Sequence, residues 1–112
     1  MGYENDPVLI YTTFKNAEDA KTVGRGLVES RLAACVNIIP ATTAIYEWQG
    51  EIEEAAEAVM VIKTRKGCQA LALQRAKKLH PYDTPALLVI DPLEVDKDFA
   101  VWIAEQTNAP SN

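Results

Sequence analysis

An α+β sandwich with the element order β-α-β-β-α-β is the fold class that this 112-residue sequence predicts. Three observations predict it. Runs dense in β-branched and aromatic residues alternate with amphipathic helical stretches, the two middle runs are joined by only a tight turn, and a further helical stretch follows the last run. The 48% hydrophobic content supplies one core, and the length argues for a single domain over residues 1–112.

PVLIYTTF, Pro7 to Phe14, reads as the first strand, with Asn16 punctuating its end. Asn16 and Asp19 resemble a capping box that opens a helix over about residues 16 to 32. Ala17, Ala20, Val23, Leu27, Val28 and Ala34 recur near the helical period, while Glu18, Lys21, Arg25, Glu29 and Arg31 take the other side. Gly24 and Gly26 each cost that helix about 1 kcal/mol against alanine, which predicts close packing against a neighbouring backbone, not a phosphate loop.

AACVNIIPATTAIYEW and EIEEAAEAVMVIKT then flank Gln49-Gly50 as the long arms of a hairpin, with Pro40 marking a bulge or an edge position. Ideal pairing sets Trp48 opposite Glu51, Thr42 opposite Glu57 and Cys35 opposite Thr64. Cys35 and Glu57 then fall on opposite sheet faces, on the order of 23 Å apart, unless the bulge shifts the register. A second helix is expected over about Gly67 to Leu79, with Cys68, Leu71, Ala72, Ala76 and Leu79 on one face and Arg75, Lys77 and Lys78 largely on the other. His80-Pro81 stops it. PALLVI, Pro85 to Ile90, reads as a buried strand, and a last helix over about Asp98 to Gln106 carries Phe99, Trp102 and Ile103 on one stripe before a frayed NAPSN tail.

This order is the split βαβ of a ferredoxin-like sandwich, with a long hairpin between the second and third strands and an extra C-terminal helix. Right-handed crossovers put both main helices on one sheet face. Only short elements remain for the other face, so oligomerisation through the sheet or hairpin is expected.

A formal charge of −5 opposes general attraction to phosphate backbones, so nucleic acid is not expected. No apolar run approaches the roughly 20 residues that span a bilayer, so no membrane partner is expected. MGYENDP lacks the basic and apolar regions of a signal peptide, which predicts a cytoplasmic location. Cys35 and Cys68 lack redox or zinc spacing and read as buried free thiols suited to a reducing compartment.

The candidate metal ligands are His80, Cys35 and Glu57. An imidazole suits copper, zinc or nickel, although His80 reads equally as a helix stop whose ring bonds to backbone. Cys35 is a soft ligand for Cu(I) in an apolar setting that favours burial. Glu57 shares a strand face with Val59, Val61 and Lys63, where a carboxylate needs a cation, hydroxyl or metal as partner. Ligands from different subunits meeting in one cleft would reconcile their separation. Tyr82 beside His80, Lys63 and Trp48 are the candidates for binding a small molecule or anion. Packing for the two aromatics and a salt bridge for the lysine are their plainer roles.

LAACVNI, IYEWQGEIEE, EAVMVIKT, HPYDTP and FAVWI stand in that order over about residues 8 to 106, and together they closely resemble the CutA family of divalent-cation tolerance proteins. The resemblance implies a ferredoxin-like subunit in a tight homotrimer shaped like the PII signalling proteins. It also implies an association with copper or another divalent cation and no enzymatic activity. The sequence departs from some relatives, which carry a cysteine near Tyr11-Thr12-Thr13 and a second histidine where Leu79 stands, so a complete set of strong ligands is missing. Alternatives are a PII-like small-molecule sensor, which lacks a Gly-rich phosphate loop here, and a trimeric scaffold for a partner protein. An acylphosphatase would need an arginine cradle after the first strand, where Thr12 to Lys15 stand, and an RNA-recognition module would need basic and aromatic strand motifs that are absent.

Overall fold

A computed structural model describes residues 2–107 of the chain. After a 3-10 turn at Gly2–Asn5, the elements are β1 (Pro7–Phe14), α1 (Ala17–Glu29), β2 (Cys35–Trp48), β3 (Glu51–Arg65), α2 (Lys66–Leu79), β4 (Leu87–Ile90) and α3 (Lys97–Gln106). The strands form one antiparallel sheet in the order β2-β3-β1-β4, the ferredoxin-like arrangement expected.

Alternation builds β1: Val8, Ile10, Thr12 and Phe14 are buried, and their β3 partners Thr64, Ile62, Met60 and Ala58 are buried with them. That face carries α1 and α2, whose Ala20, Val23, Leu27, Ala72 and Ala76 complete the core around Phe14, Met60 and Ile62. Asn16 caps α1, its Oδ1 accepting from the Asp19 amide at 2.8 Å. Gly24 is needed for packing, but against side chains: a Cβ there would lie 2.8 Å from Val36 Cγ2 and 3.0 Å from Met60 Sδ, whereas Gly26 meets only Leu79 Cδ1 at 3.5 Å.

Several expectations are corrected. α1 ends at Glu29 instead of residue 32 because Arg31 adopts φ 61° and the chain closes on the last turn, the Leu32 amide donating to the Leu27 carbonyl at 3.0 Å and the Arg31 amide to the Val28 carbonyl at 3.1 Å. Ala34 therefore belongs to the approach to β2. On α2, Cys68, Ala72 and Ala76 are buried, but Leu71 and Leu79 are exposed. The last strand begins at Leu87, since β1 offers partners only at Leu9 to Thr12. It is an edge strand whose Leu88 is 56% exposed, not a buried one. The NAPSN tail begins beyond the described residues.

The hairpin turns at Gln49 and Gly50, whose φ values of 51° and 83° match the two-residue turn suited to strand twist. Pairing is ideal from Trp48–Glu51 to Thr42–Glu57. There Pro40 and Ala41 together oppose Ala58, a bulge that brings Cys35 opposite Lys63 and not Thr64. One extra residue reverses the parity, so Cys35, Asn37 and Ile39 share the face of Glu57, Val59, Val61 and Lys63. The register shift that Pro40 could bring thus occurs, and it puts on one face the Cys35 and Glu57 that unbroken pairing would put on opposite faces.

Beyond Phe14, β2 and β3 continue without a third strand among the described residues, as a two-stranded ribbon from Thr42–Glu57 to the turn. The molecule is drawn out to 48 × 28 × 20 Å, with a radius of gyration of 14.9 Å. A chain of this length packed as a simple globule would have about 13 Å.

Candidate functional site

At the foot of the ribbon, α2 ends beside the end of β1. His80 leaves the helical region with φ −69° and ψ 136°, as a residue before proline must, and this swings its ring inward. The ring is 7% exposed and stacks on Phe14 with centroids 4.2 Å apart. Nδ1 accepts from the Tyr82 amide at 3.2 Å, so the proton resides on Nε2, which donates to the Thr13 carbonyl at 2.8 Å. Desolvation holds the His80 pKa below its ordinary value, against the Thr13 carbonyl and the Asp19 charge, which favour the cation. His80 is thus a helix-stopping, backbone-bonded histidine, and both its ring nitrogens are engaged within this chain.

Tyr82 packs at 5.0 Å from the His80 ring. Its pKa is raised, by desolvation first and then by the charges of Glu57, Asp19 and Tyr46. Glu57 is half-buried on β3 opposite Thr42, whose hydroxyl donates to the Glu57 carbonyl at 2.9 Å. Tyr82 packs on His80, and Glu57 adjoins Ala58, the β3 partner of the Phe14 on which His80 stacks. Sequence reasoning missed the charges of Asp19 and Tyr46 that act on Tyr82. The capping box, which fixes Asp19 to the first turn after β1, was the available signal for the former.

Cys35 and Lys63 lie elsewhere. They pair six residues along β3 from Glu57, on the order of 20 Å away. Cys35 is half-buried, more open than expected, and lines a groove of about 390 Å³ with Lys21, Arg25, Val36 and Ile38. Lys63 extends under α3, its Nζ 5.5 Å from the Phe99 ring centroid. Trp48 stands at the ribbon tip, 61% exposed and remote from both clusters.

Among the described residues, no three His, Cys, Asp or Glu side chains stand close enough to hold a metal ion. The expected donor set of one chain does not fit such an ion. What one chain does present is uncovered apolar surface: Ile39, Leu88 and Ile90 on the sheet face opposite the main helices, and Ile45, Tyr46, Trp48 and Ile52 on the ribbon. From Thr42 to Glu57 the ribbon also carries five glutamates and no cation. No helix among the described residues is long and apolar enough to cross a membrane.

A model of the CutA1 divalent ion tolerance protein family matches residues 8–106. The chain is 40% identical over 100 residues to the divalent-cation tolerance protein CutA of Pyrococcus horikoshii, covering 89% of this chain and 97% of that protein. It is 38% identical over 99 residues to the protein of the same name from Thermus thermophilus, covering 88% and 96%. The crystal structure of the divalent ion tolerance protein CutA1 from Ehrlichia chaffeensis superposes with a TM-score of 0.89 at 35% identity, over 91% of this chain and 95% of that one. These matches extend over nearly the whole described fold, hairpin and α3 included, and so the chain belongs to the CutA1 divalent ion tolerance protein family.

Proposed function

We propose that this chain acts as a homotrimer in divalent-cation tolerance, binding or responding to copper or a related ion without catalysing a reaction. The observation that carries this reading is the uncovered apolar face and ribbon, because a two-stranded ribbon is marginal in water and exposed apolar sheet of this extent calls for a partner. A closed ring of identical chains covers such surfaces symmetrically. It also answers the ligand problem. Glu57 and Cys35 share a face but lie too far apart for one ion, so a cation site needs donors from neighbouring subunits. The two unpaired thiols suit a reducing compartment, and the reading places the protein in the cytoplasm.

A sensor of small anions is the second reading. It is favoured by Lys63, which makes no salt bridge among the described residues.

Light scattering tests the assembly, and a stable folded monomer refutes it. Thermal shifts with Cu(II), Cu(I) and Zn(II) on the wild type and on Cys35→Ser, Glu57→Gln and His80→Ala test the metal role, since a ligand of the native state raises its midpoint. No shift with any ion removes direct binding. Shifts with carboxylate or phosphate metabolites that vanish in Lys63→Gln select the second reading.

A further inference from the structure

Three separate elements converge on the last turn of α3. Arg65, which closes β3, donates from Nε to Thr107 Oγ1 at 3.0 Å and from Nη2 to the Thr107 carbonyl at 3.2 Å, while its Nη1 reaches the Glu4 carbonyl at 3.5 Å. The Cys68 thiol of α2 donates to the same Thr107 carbonyl at 3.6 Å, and Arg31 Nη1 donates to the Gln106 carbonyl at 3.2 Å. Two guanidiniums and a thiol thus satisfy carbonyls that an α-helix leaves unpaired, at the negative end of its dipole.

The rest of α3 is weakly held. Ten residues are too few for a stable isolated helix, and Ile103 is its one fully buried apolar side chain. Asp96 caps its start by accepting from the Phe99 amide at 3.1 Å, and Phe99 lies over Lys63. A segment with so little buried apolar surface separates from the body more easily than the core strands do. Gly67 belongs to the same device: a Cβ there would collide with Arg65 Nη1 and lie 3.2 Å from the Glu4 carbonyl, so glycine is what lets the guanidinium reach across.

We propose that α3 is a strap that opens and closes over the Lys63 end of the sheet face, latched by Arg65 on Thr107 with Gly67 leaving room for the latch. Opening releases Lys63 from beneath Phe99 and frees the Cys68 thiol, while the core stays folded. The strap is independent of whether the protein binds metal.

The test uses the full chain in its native assembly, in a Cys35→Ser background, comparing the parent with Arg65→Met and Gly67→Ala. Hydrogen exchange of residues 97–106 and alkylation of Cys68 by iodoacetamide are measured together. Both variants are expected to raise both rates about tenfold, with β1 and α1 amides unchanged. Gly67→Ala keeps the arginine and improves helix propensity, so its effect separates a displaced latch from simple loss of a side chain. Unchanged rates in both variants overturn the strap. So does any loss of β1 protection that keeps step with α3, because the opening would then be global unfolding.

Discussion

Thr12 and Thr64 supply a matched experiment in burial. Both are fully buried, both lie on the helix-facing side of the central strands, and both are β-branched, so neither strand propensity nor shape separates them. The Thr64 hydroxyl donates to the Leu32 carbonyl at 2.8 Å, whereas Thr12 Oγ1 has no partner among the described residues. Valine replaces a hydroxyl by a methyl of nearly the same volume. At position 12 it removes an unsatisfied group whose desolvation costs about 1–3 kcal/mol, so Thr12→Val is expected to stabilise by roughly 1.5 kcal/mol. With unfolding entropy near 2.1 cal/mol/K per residue, that is a rise in Tm of roughly 6 °C for a chain of this length. At position 64 the same change leaves the Leu32 carbonyl short of a donor and is expected to destabilise by about 1–3 kcal/mol. Urea and thermal unfolding of both variants at one fixed protein concentration, with far-UV circular dichroism as readout, make the comparison. If Thr12→Val lowers the midpoint as Thr64→Val does, the Thr12 hydroxyl has a stabilising partner and the reasoning fails.

Gly24→Ala is expected to destabilise, because overpacking against Val36 and Met60 costs about 1–3 kcal/mol and outweighs the helix propensity gained, whereas Gly26→Ala is expected to stabilise by about 0.5–1 kcal/mol; urea midpoints moving in the same direction refute this. His80 has a folded pKa below its ordinary 6.5, so the unfolded chain binds the proton first, and its contribution is complete above about pH 6.5 and lost as pH falls through the folded value. Tm measured from pH 8 to 5.5 in chelator should therefore fall in the wild type and stay flatter in His80→Gln, which can still donate to Thr13 and accept from Tyr82; equal slopes refute the assignment. Deleting Ala41 leaves one residue between Ile39 and Thr42 to oppose Ala58, so every other side chain keeps its face and the core should still form. Loss of exchange protection across Ile38 and Met60 in that deletion would show that the core itself requires the bulge.

The parts of the fold legible in the sequence are those governed by local rules. β1 is legible to the residue because its alternation is uninterrupted, α1 opens at Asn16 because a capping side chain stands there, and the hairpin turns at Gln49-Gly50 because only two residues separate the arms. The errors arise where a distant partner decides. Arg31 occupies the left-handed position after α1 where glycine would have announced the end. PALLVI reads as buried because it is apolar, yet nothing among the described residues covers most of it. The site divides the same way. His80 was legible as a helix stop, but its bond to Thr13 spans 67 residues and no local pattern encodes it. Arg65 and Thr107, 42 residues apart, carry no motif at all.

Two constraints on β2 conflict, and the bulge is what reconciles them. The turn fixes the register from Trp48 back to Thr42, while Val36 and Ile38 must face α1 and the core opposite Ile62 and Met60. Counting straight back from the turn would aim both away from the core and turn Cys35 inward. The extra residue at Pro40-Ala41 corrects the parity, and proline suits the position because its missing N–H would otherwise interrupt a regular ladder. Bulges bend the strand that holds them and increase its twist, so the same residues that restore the core also set the direction in which the ribbon leaves the sheet. The packing demand of the helices is thereby coupled to the placement of Tyr46, Trp48 and the five glutamates. The uncovered apolar ribbon is thus aimed by a residue far from the turn, at the point where β1 ends.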